Sequence, residues 1–260
     1  MNADVNMNMD PNFVPDEYKI PYDVIELPSQ GILYPNKKSS VKVEYFTTMD
    51  ENILTSPNLA NSGKIVDILL ERKIKGLGFP SDELLDGDRM AILIFLRVTA
   101  FGPLYKQPVV NPLTSKVEIG EIDLSTLKQK QLEIQPDDMG EFDYVLPHTK
   151  VKAKFRILTG KDESEIDTTN NSIMEREGDG VSHKTTLRLE REIMEINGIR
   201  DKMRLSNIIK NMSPMDSRPL RKYISDIEPG IDFDTTARTP GGESIKTFLR
   251  LGSNFLWPEL

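Results

Sequence analysis

The chain contains no cysteine, only two histidines and a single tryptophan among its 260 residues. The absence of cysteine excludes disulfide bonds, thiol nucleophiles, cysteine-ligated zinc and iron–sulfur clusters. The longest apolar run, Met90 to Leu96, is far shorter than the roughly 20 residues that span a bilayer. The first residues also lack the basic and apolar regions of a signal peptide. We therefore expect a protein that is made and retained in a reducing cytoplasm.

Positive charge is outnumbered by negative charge in this chain. Lysine and arginine total 33 residues against 41 aspartates and glutamates, which gives a formal net charge of −8. The basic residues are scattered, so no basic run attracts a phosphate backbone or an anionic membrane. Hydrophobic residues make up 38% of the chain and charged residues 28%, as in globular domains with a real core. We expect a folded protein that binds neither nucleic acid nor membrane.

The sequence has no pattern that is typical of an active site or a cofactor site. His148 and His183 are far apart, and neither accompanies a nucleophile motif or a metal-ligand spacing. The acidic stretch 82–88 lacks the alternating ligands of a calcium loop. The acidic stretch 136–143 lacks the apolar flanks that raise the pKa of a catalytic carboxyl group. We predict no catalytic, metal or cofactor residues. The alternative is an enzyme, such as a hydrolase, that uses His148 or an acidic-loop residue in a cleft.

The order of strand-like and helix-like segments predicts an α+β fold, because no regular strand–helix–strand alternation is present. Residues 86–102 are apolar on all sides, which predicts a central buried helix. After the β-strands that surround this helix, we predict a helical C-terminal half and a terminal β-strand. The predicted division is a flexible tail at 1–22, an α+β domain at 23–160, a polar linker with room for one exposed helix at 161–186, and a helical subdomain at 187–260.

Apolar spacing predicts several of the helices in detail. Three series in the C-terminal part have helical spacing: Leu189–Ile196, Leu205–Met212 and Leu220–Ile227. Asp216 or Ser217 is the predicted N-cap of the last helix, with Pro219 in its first turn. Earlier in the chain, Ser62 is the predicted N-cap of a helix that ends at Ile74.

The stretch LPSQGILYP, residues 27–35, holds two prolines and a glycine among apolar residues. Proline fixes φ at Pro28 and Pro35, and Gly31 permits a tight turn between them. The apolar residues of 32–34 are then able to contact the core. Nothing nearby is suited to act as a nucleophile, a base or a ligand, so we predict a clamp that fixes the chain after its polar start.

Three stretches carry a resemblance to a known family through their order and spacing. They are LPSQGILYP with the following VKVEYF, then GDRMAILIFLRVTAFGPLY, and finally TPGGESIKTFLRLGSNFLWP. Together they resemble the baseplate hub subunits and hub assembly proteins of T-even-type contractile-tailed bacteriophages. The resemblance covers the chain from about residue 25 to its end.

This resemblance implies a structural component of a phage baseplate hub, which acts through protein–protein assembly and without catalysis. Its location would be the tail baseplate of the virion, after assembly in the host cytoplasm. Its partners would be other tail and baseplate proteins in a multi-subunit complex. The alternative within the same resemblance is a chaperone of hub assembly that is absent from the mature virion.

Relatives of this kind often carry two Cys-x-x-Cys knuckles, which this chain lacks. The matching positions here are Val110, Leu113, Arg238 and Gly241, and none of these residues is a zinc ligand. The resemblance therefore carries no zinc over to this sequence. If the two turns still meet in space, we expect Val110 and Leu113 to fill the vacated site by packing.

Four large side chains are candidate partner contacts: Tyr34, Phe255, Leu256 and Trp257. Aromatic residues dominate the energetics of protein–protein interfaces, and the last three lie together near the end of the chain. The alternative is that these side chains pack on the core of their own chain. A Trp257→Ala variant separates the two hypotheses, because an anchor residue is needed for the complex but not for the fold.

Overall fold

The computed structural model describes residues 19–56, 64–112, 114–252 and 255–256. Ser62, Leu113 and Trp257 lie outside these ranges, as does most of the tail predicted at 1–22. The helices are α1 (Thr48–Leu54), α2 (Ile65–Lys73), α3 (Asp86–Phe101), α4 (Gly160–Glu177), α5 (Lys184–Glu192), α6 (Lys202–Lys210) and α7 (Pro214–Ile227). The strands are β1 (Tyr22–Glu26), β2 (Ser40–Glu44), β3 (Ile74–Lys75), β4 (Leu104–Val110), β5 (Val117–Asp123), β6 (Gln129–Lys130), β7 (Phe142–Val145), β8 (Lys152–Phe155), β9 (Ile193–Ile196), β10 (Gly230–Ile231), β11 (Asp234–Arg238) and β12 (Ser244–Phe248).

The strands form three sheets and one short ladder, all of them antiparallel. The first sheet has the order β1-β2-β3, the second β7-β8-β9, and the third β12-β11-β5-β4. The ladder joins β6 to β10, which are far apart in sequence. Helices and antiparallel sheets thus share one chain, and the α+β prediction is confirmed.

Helix α3 is the central buried element that the sequence predicts. Ile92 and Leu96 have no exposed surface and belong to the larger hydrophobic cluster, together with Val43 and Leu220. Ile94, on another side of the same helix, belongs to the smaller cluster beneath the four-stranded sheet. The helix therefore packs on both sides because its apolar residues surround it, and the prediction of a central buried helix is confirmed.

The segment predicted as a linker begins within helix α4. Thr159 and Asp162 form a capping box, in which the Thr159 side chain accepts the N–H of Asp162 and the Asp162 carboxylate accepts the N–H of Thr159. Ile166 is buried on this helix. A Cβ atom at Gly160 would lie 2.3 Å from the guanidinium carbon of Arg89, so glycine permits this close approach to α3. The predicted domain division stays a prediction.

Residues 193–196 form strand β9, whereas the apolar spacing predicts a continued helix. Ile193 pairs with Phe155 and Ile196 pairs with Ala153 of strand β8. Residues three apart on a regular strand face opposite sides, but the register shifts between Lys154 and Phe155, and both isoleucines are buried. The bulge explains why a helical spacing is compatible with a strand here.

The N-cap of helix α7 lies three residues before Asp216, the first of the two predicted caps. Ser213 is the N-cap, since its Oγ accepts the N–H of Met215 at 3.2 Å, and Pro214 occupies the first turn. Asp216 has a different role, because its carboxylate accepts the N–H of His148 at 2.7 Å. The Asp216 side chain thus holds the turn that precedes β8 against the start of α7.

Candidate interaction surfaces

Tyr34, a candidate partner contact, lies inside the core with 4% of its surface exposed. Its hydroxyl donates to Oδ2 of Asp88 at 2.5 Å and accepts the N–H of Leu85 at 2.9 Å. Ser29 completes the group, because its N–H and its Oγ donate to Asp88 at 2.9 and 2.5 Å. Residues 27–35 are therefore joined to the first turn of α3. These hydrogen bonds fix the stretch in the way that the predicted clamp requires.

Asp88 is fully buried and its carboxylate is satisfied by donors from the 27–35 stretch. Burial raises the pKa of Asp88, and the hydrogen bonds from Ser29 and Tyr34 oppose that change. Burial, together with the nearby Asp88, also raises the pKa of the Tyr34 hydroxyl, so this phenol remains protonated and donating. Both groups are thus held in a structural network.

Phe255 and Leu256, two further candidate contacts, pack on their own chain. Phe255 is 4% exposed, and its ring meets that of Tyr105 edge-on with centroids 5.3 Å apart. Leu256 packs against both hydrophobic clusters. Trp257 lies outside the described residues. A role in partner binding for these residues stays a prediction, and the described contacts favour packing for Phe255.

The two turns that match the knuckle positions do meet in the structure. Strands β4 and β5 pair antiparallel as one hairpin, and β11 and β12, which are joined by a turn at 239–243, form a second hairpin. Nδ2 of Asn111, which is 2% exposed, donates to Oε2 of Glu243 at 2.6 Å across these turns. A side-chain hydrogen bond therefore joins the two hairpins at this end of the sheet.

The expectation that Val110 fills a vacated site is wrong, because 62% of its surface is exposed. Arg238 and Gly241 are also exposed, and Leu113 lies outside the described residues. Throughout the described ranges, no three histidine, aspartate or glutamate side chains are grouped closely enough to hold a metal ion.

The outer face of the hairpin β4–β5 carries an apolar surface that no sequence motif indicates. Pro108 lies opposite Ile119, and Val110 lies opposite Val117. Residues directly opposite or two apart on neighbouring strands share a face, so these four side chains are adjacent. Val110, Val117 and Ile119 are 62%, 69% and 52% exposed. We call these four residues the hairpin patch.

The alternating burial of β4 explains how the hairpin patch arises. Tyr105, Gln107 and Val109 point to the inner side of the sheet and are buried, so the intervening residues point outward. Among the outward-pointing residues, Lys106 lies opposite Glu121. This pair of charged residues marks one end of the apolar patch. Contiguous apolar surface of this kind is typical of protein–protein contact sites.

The two histidines occupy different surfaces. His148 is exposed in the turn between β7 and β8, and its backbone N–H donates to Asp216. His183, just before α5, has its Nε2 at 3.1 Å from Oε2 of Glu177. The burial of His148 in a cleft, which a hydrolase that uses this base requires, is not present.

A partly buried cluster of charged side chains surrounds Arg188 of helix α5. Its Nε donates to Oε1 of Glu192 at 2.9 Å, and its Nη1 is paired with Glu163 of α4. Glu228, which directly follows α7, lies 4.0 Å from Nη2. Asp86, the first residue of α3, is close enough for its charge to act on Arg188 and Glu228. We call these five residues the carboxylate cluster.

The carboxylates of this cluster are difficult to ionise. Burial raises the pKa of Glu192 and of Glu228 to about 7, although the charge of Arg188 opposes the change. Burial also raises the pKa of Asp86 and of Glu163, again against the charge of Arg188. Glu192 is 2% exposed, and its Oε2 has no hydrogen-bond partner in the described part of the chain.

Comparison with protein-family models, with curated proteins and with solved structures finds no match to this chain. Over the described residues, no helix has the length and apolar character that a membrane crossing requires. The surfaces of the molecule are therefore the basis for a functional proposal.

Proposed function

We propose that this protein is a structural component of a contractile-tail baseplate hub, which acts by protein–protein assembly. The observation that carries the proposal is the hairpin patch. Three of its side chains are more than half exposed and lie next to each other on one face of the sheet. Burial of such surface against a neighbouring subunit stabilises an assembly through the hydrophobic effect. The family resemblance supplies the kind of assembly.

The sheet beneath the hairpin patch is suited to present it as a rigid surface. Tyr105 and Ile122 fix the inner side of the hairpin in the smaller hydrophobic cluster. The hydrogen bond between Asn111 and Glu243 holds the tip against the second hairpin. A preformed surface loses little conformational entropy when a partner binds.

The patch is tested by a Val117→Ser, Ile119→Ser double variant in the phage that encodes the chain. Both side chains are exposed, so we expect a folded monomer whose incorporation into baseplates is reduced at least about tenfold, as for loss of an interface anchor. The matched control is Val145→Ser, a 53% exposed valine on strand β7. Equal incorporation of all three proteins would contradict the role of the patch.

Mass spectrometry of purified virions tests the proposed function itself. A structural component is present in every particle at a fixed ratio to the other baseplate proteins. Its absence from complete virions, with its presence in assembly intermediates, would identify an assembly chaperone and overturn the structural role. Absence from both preparations would refute either form of the proposal.

Trp257 belongs to the same proposal as a partner anchor. We expect Trp257→Ala to reduce complex formation while the isolated protein keeps its thermal stability. A loss of thermal stability in the isolated variant would instead assign Trp257 to the core. Circular dichroism of the monomer and co-purification with baseplate proteins provide the two measurements.

A further inference from the structure

The carboxylate cluster lies where the N-terminal and C-terminal parts of the fold meet. Asp86 belongs to the central helix α3, Glu163 to α4, and Arg188 and Glu192 to α5. Glu228 directly follows α7. The Arg188 guanidinium group is thus paired with carboxylates from α4, from α5 and from the residue after α7, and the charge of Asp86 on α3 acts on the same group. The charge state of the cluster therefore acts on the contacts among these four segments.

The cluster holds more negative than positive charge when every group is ionised. The charged groups that act on Glu192 and Glu228 from the surrounding segments are Asp86, Glu163, Arg188 and Arg221. Arg89 and Asp167 act on the periphery, but Arg89 is paired with Asp67 and Asp167 with Lys184. Four carboxylates therefore face the two arginines Arg188 and Arg221.

Glu192 is the least solvent-exposed residue of the cluster. Its Oε1 accepts from Arg188, but its Oε2 is buried without a hydrogen-bond partner among the described residues. A buried carboxylate oxygen without a donor carries a large desolvation cost, which a bound proton removes. The geometry thus favours a protonated carboxyl group at this joint.

We infer that the carboxylate cluster is a pH-dependent latch between helix α3 and the C-terminal helices α4, α5 and α7. On the acidic side of neutrality, protons on Glu192 and Glu228 leave two carboxylates facing two guanidinium groups, and the helices stay closed. Above neutrality both carboxyl groups ionise inside the joint. Like charges then repel each other across the four segments, and the packing between them loosens.

The direction of the pH effect follows from the raised pKa values. Between an ordinary glutamate value and about 7, the folded chain holds protons on Glu192 and Glu228 that the unfolded chain has released. Stability from these groups is therefore greatest at acidic pH and is lost as the pH rises through about 7. Near pH 6 the folded state holds about two extra protons.

Urea unfolding of the full chain between pH 5.5 and about 8.5 tests the latch. We expect the logarithm of the unfolding constant to rise with a slope of about two per pH unit near pH 6. Glu192→Gln and Glu228→Gln each remove one titrating group, so each lowers this slope by about one. The matched control is Glu175→Gln, an exposed glutamate on α4, which leaves the slope unchanged.

Carbon-13 NMR of the glutamate carboxyl groups in the unmodified protein gives an independent measurement. Two glutamate signals that titrate near pH 7 support the latch, even if a glutamine variant fails to fold. The latch is overturned if every glutamate signal titrates below about pH 5.5, close to the ordinary value. It is also overturned if folded Glu192→Gln and Glu228→Gln keep the slope of the unmodified chain.

Discussion

Tyr34 and Asp88, which are 54 residues apart in sequence, share a hydrogen bond of 2.5 Å in the interior of the protein. The bond joins the stretch 27–35 to the first turn of α3. The same hydroxyl accepts the N–H of Leu85, so one side chain satisfies a carboxylate and a helix-start amide together. The clamp predicted from the prolines and the glycine depends on these polar contacts as well.

Removal of the Tyr34 hydroxyl tests this contact. We expect Tyr34→Phe to lower the free energy of unfolding by about 2 kcal/mol, because a buried carboxylate and a buried N–H each lose a partner. Tyr45→Phe is the matched control, since Tyr45 donates to Asp23 at 2.8 Å on the surface and its loss has little effect. Urea unfolding measures both. Equal stabilities for the two variants would contradict the structural importance of the clamp.

Gly31 is required by both its backbone conformation and its surroundings. Its φ is +72°, and a Cβ atom would lie 2.4 Å from the carbonyl carbon of Lys38. We expect Gly31→Ala to cost about 3 kcal/mol, from the left-handed conformation and the steric overlap together. Gly180 has the same φ of +72° in open space, so Gly180→Ala costs only the conformational part, about 1 kcal/mol.

Thermal unfolding of these two glycine variants separates the two causes. A larger loss for Gly31→Ala assigns the difference to the contact with the backbone at Lys38. Equal losses would show that the left-handed conformation alone accounts for the effect, and that the clamp adapts to a methyl group.

Asp50 and Lys73 form a buried ion pair between α1 and the end of α2, with 0% and 3% of their side chains exposed. Burial acts to raise the pKa of Asp50, but hydrogen bonds from Lys73 and Thr47 outweigh it and hold the pKa below its usual range. We expect Asp50→Asn to lower the free energy of unfolding by about 3 kcal/mol at neutral pH, because Lys73 is left without its counter-charge.

The pH dependence of the Asp50 variant has a definite sign. A lowered carboxyl pKa stabilises the fold above the ordinary value, and this contribution is lost as the pH falls through the folded value. The difference between Asp50→Asn and the unmodified chain should therefore shrink below about pH 4. Asp226→Asn removes the exposed pair with Lys222 and serves as the control with little effect. A difference that persists at acidic pH would contradict the ion pair as its cause.

The joined hairpin turns predict a fold that is independent of zinc. None of Val110, Leu113, Arg238 and Gly241 supplies a zinc ligand, and the Asn111–Glu243 hydrogen bond connects the two turns. We expect metal analysis of the purified protein to find no stoichiometric zinc, and a chelator to leave its melting temperature unchanged. Zinc at one equivalent, with a lower melting temperature after chelation, would refute this prediction.

The sequence is sufficient to predict the central helix and the clamp because both have strong local signals. Residues 86–102 are apolar on all sides and end at Gly102, and the observed helix ends at Phe101. Strand β9 was predicted as a helix because Leu189, Ile193 and Ile196 have the spacing of a helix face. The conformation of the two isoleucines depends on pairing with β8, which local periodicity does not contain.

The candidate sites were less predictable than the fold. Burial of Ile166 and Asn170 on the polar helix α4 depends on neighbours from other parts of the chain. The hairpin patch has the composition of an ordinary strand, and only the register with β5 shows that its side chains form one exposed surface. The carboxylate cluster joins residues from 86 to 228, and no spacing rule brings them together. The alternation of inward- and outward-facing residues along β4 is the one sequence feature that indicates which side chains of the patch are exposed.

Pro108 lies in β4, an edge strand of the four-stranded sheet. Proline has no N–H to donate, so an incoming strand finds an incomplete ladder along this edge. At the opposite edge, the exposed Lys246 of β12 would be crowded by a further strand. Both edges of this sheet therefore carry features that hinder the addition of a strand from another molecule.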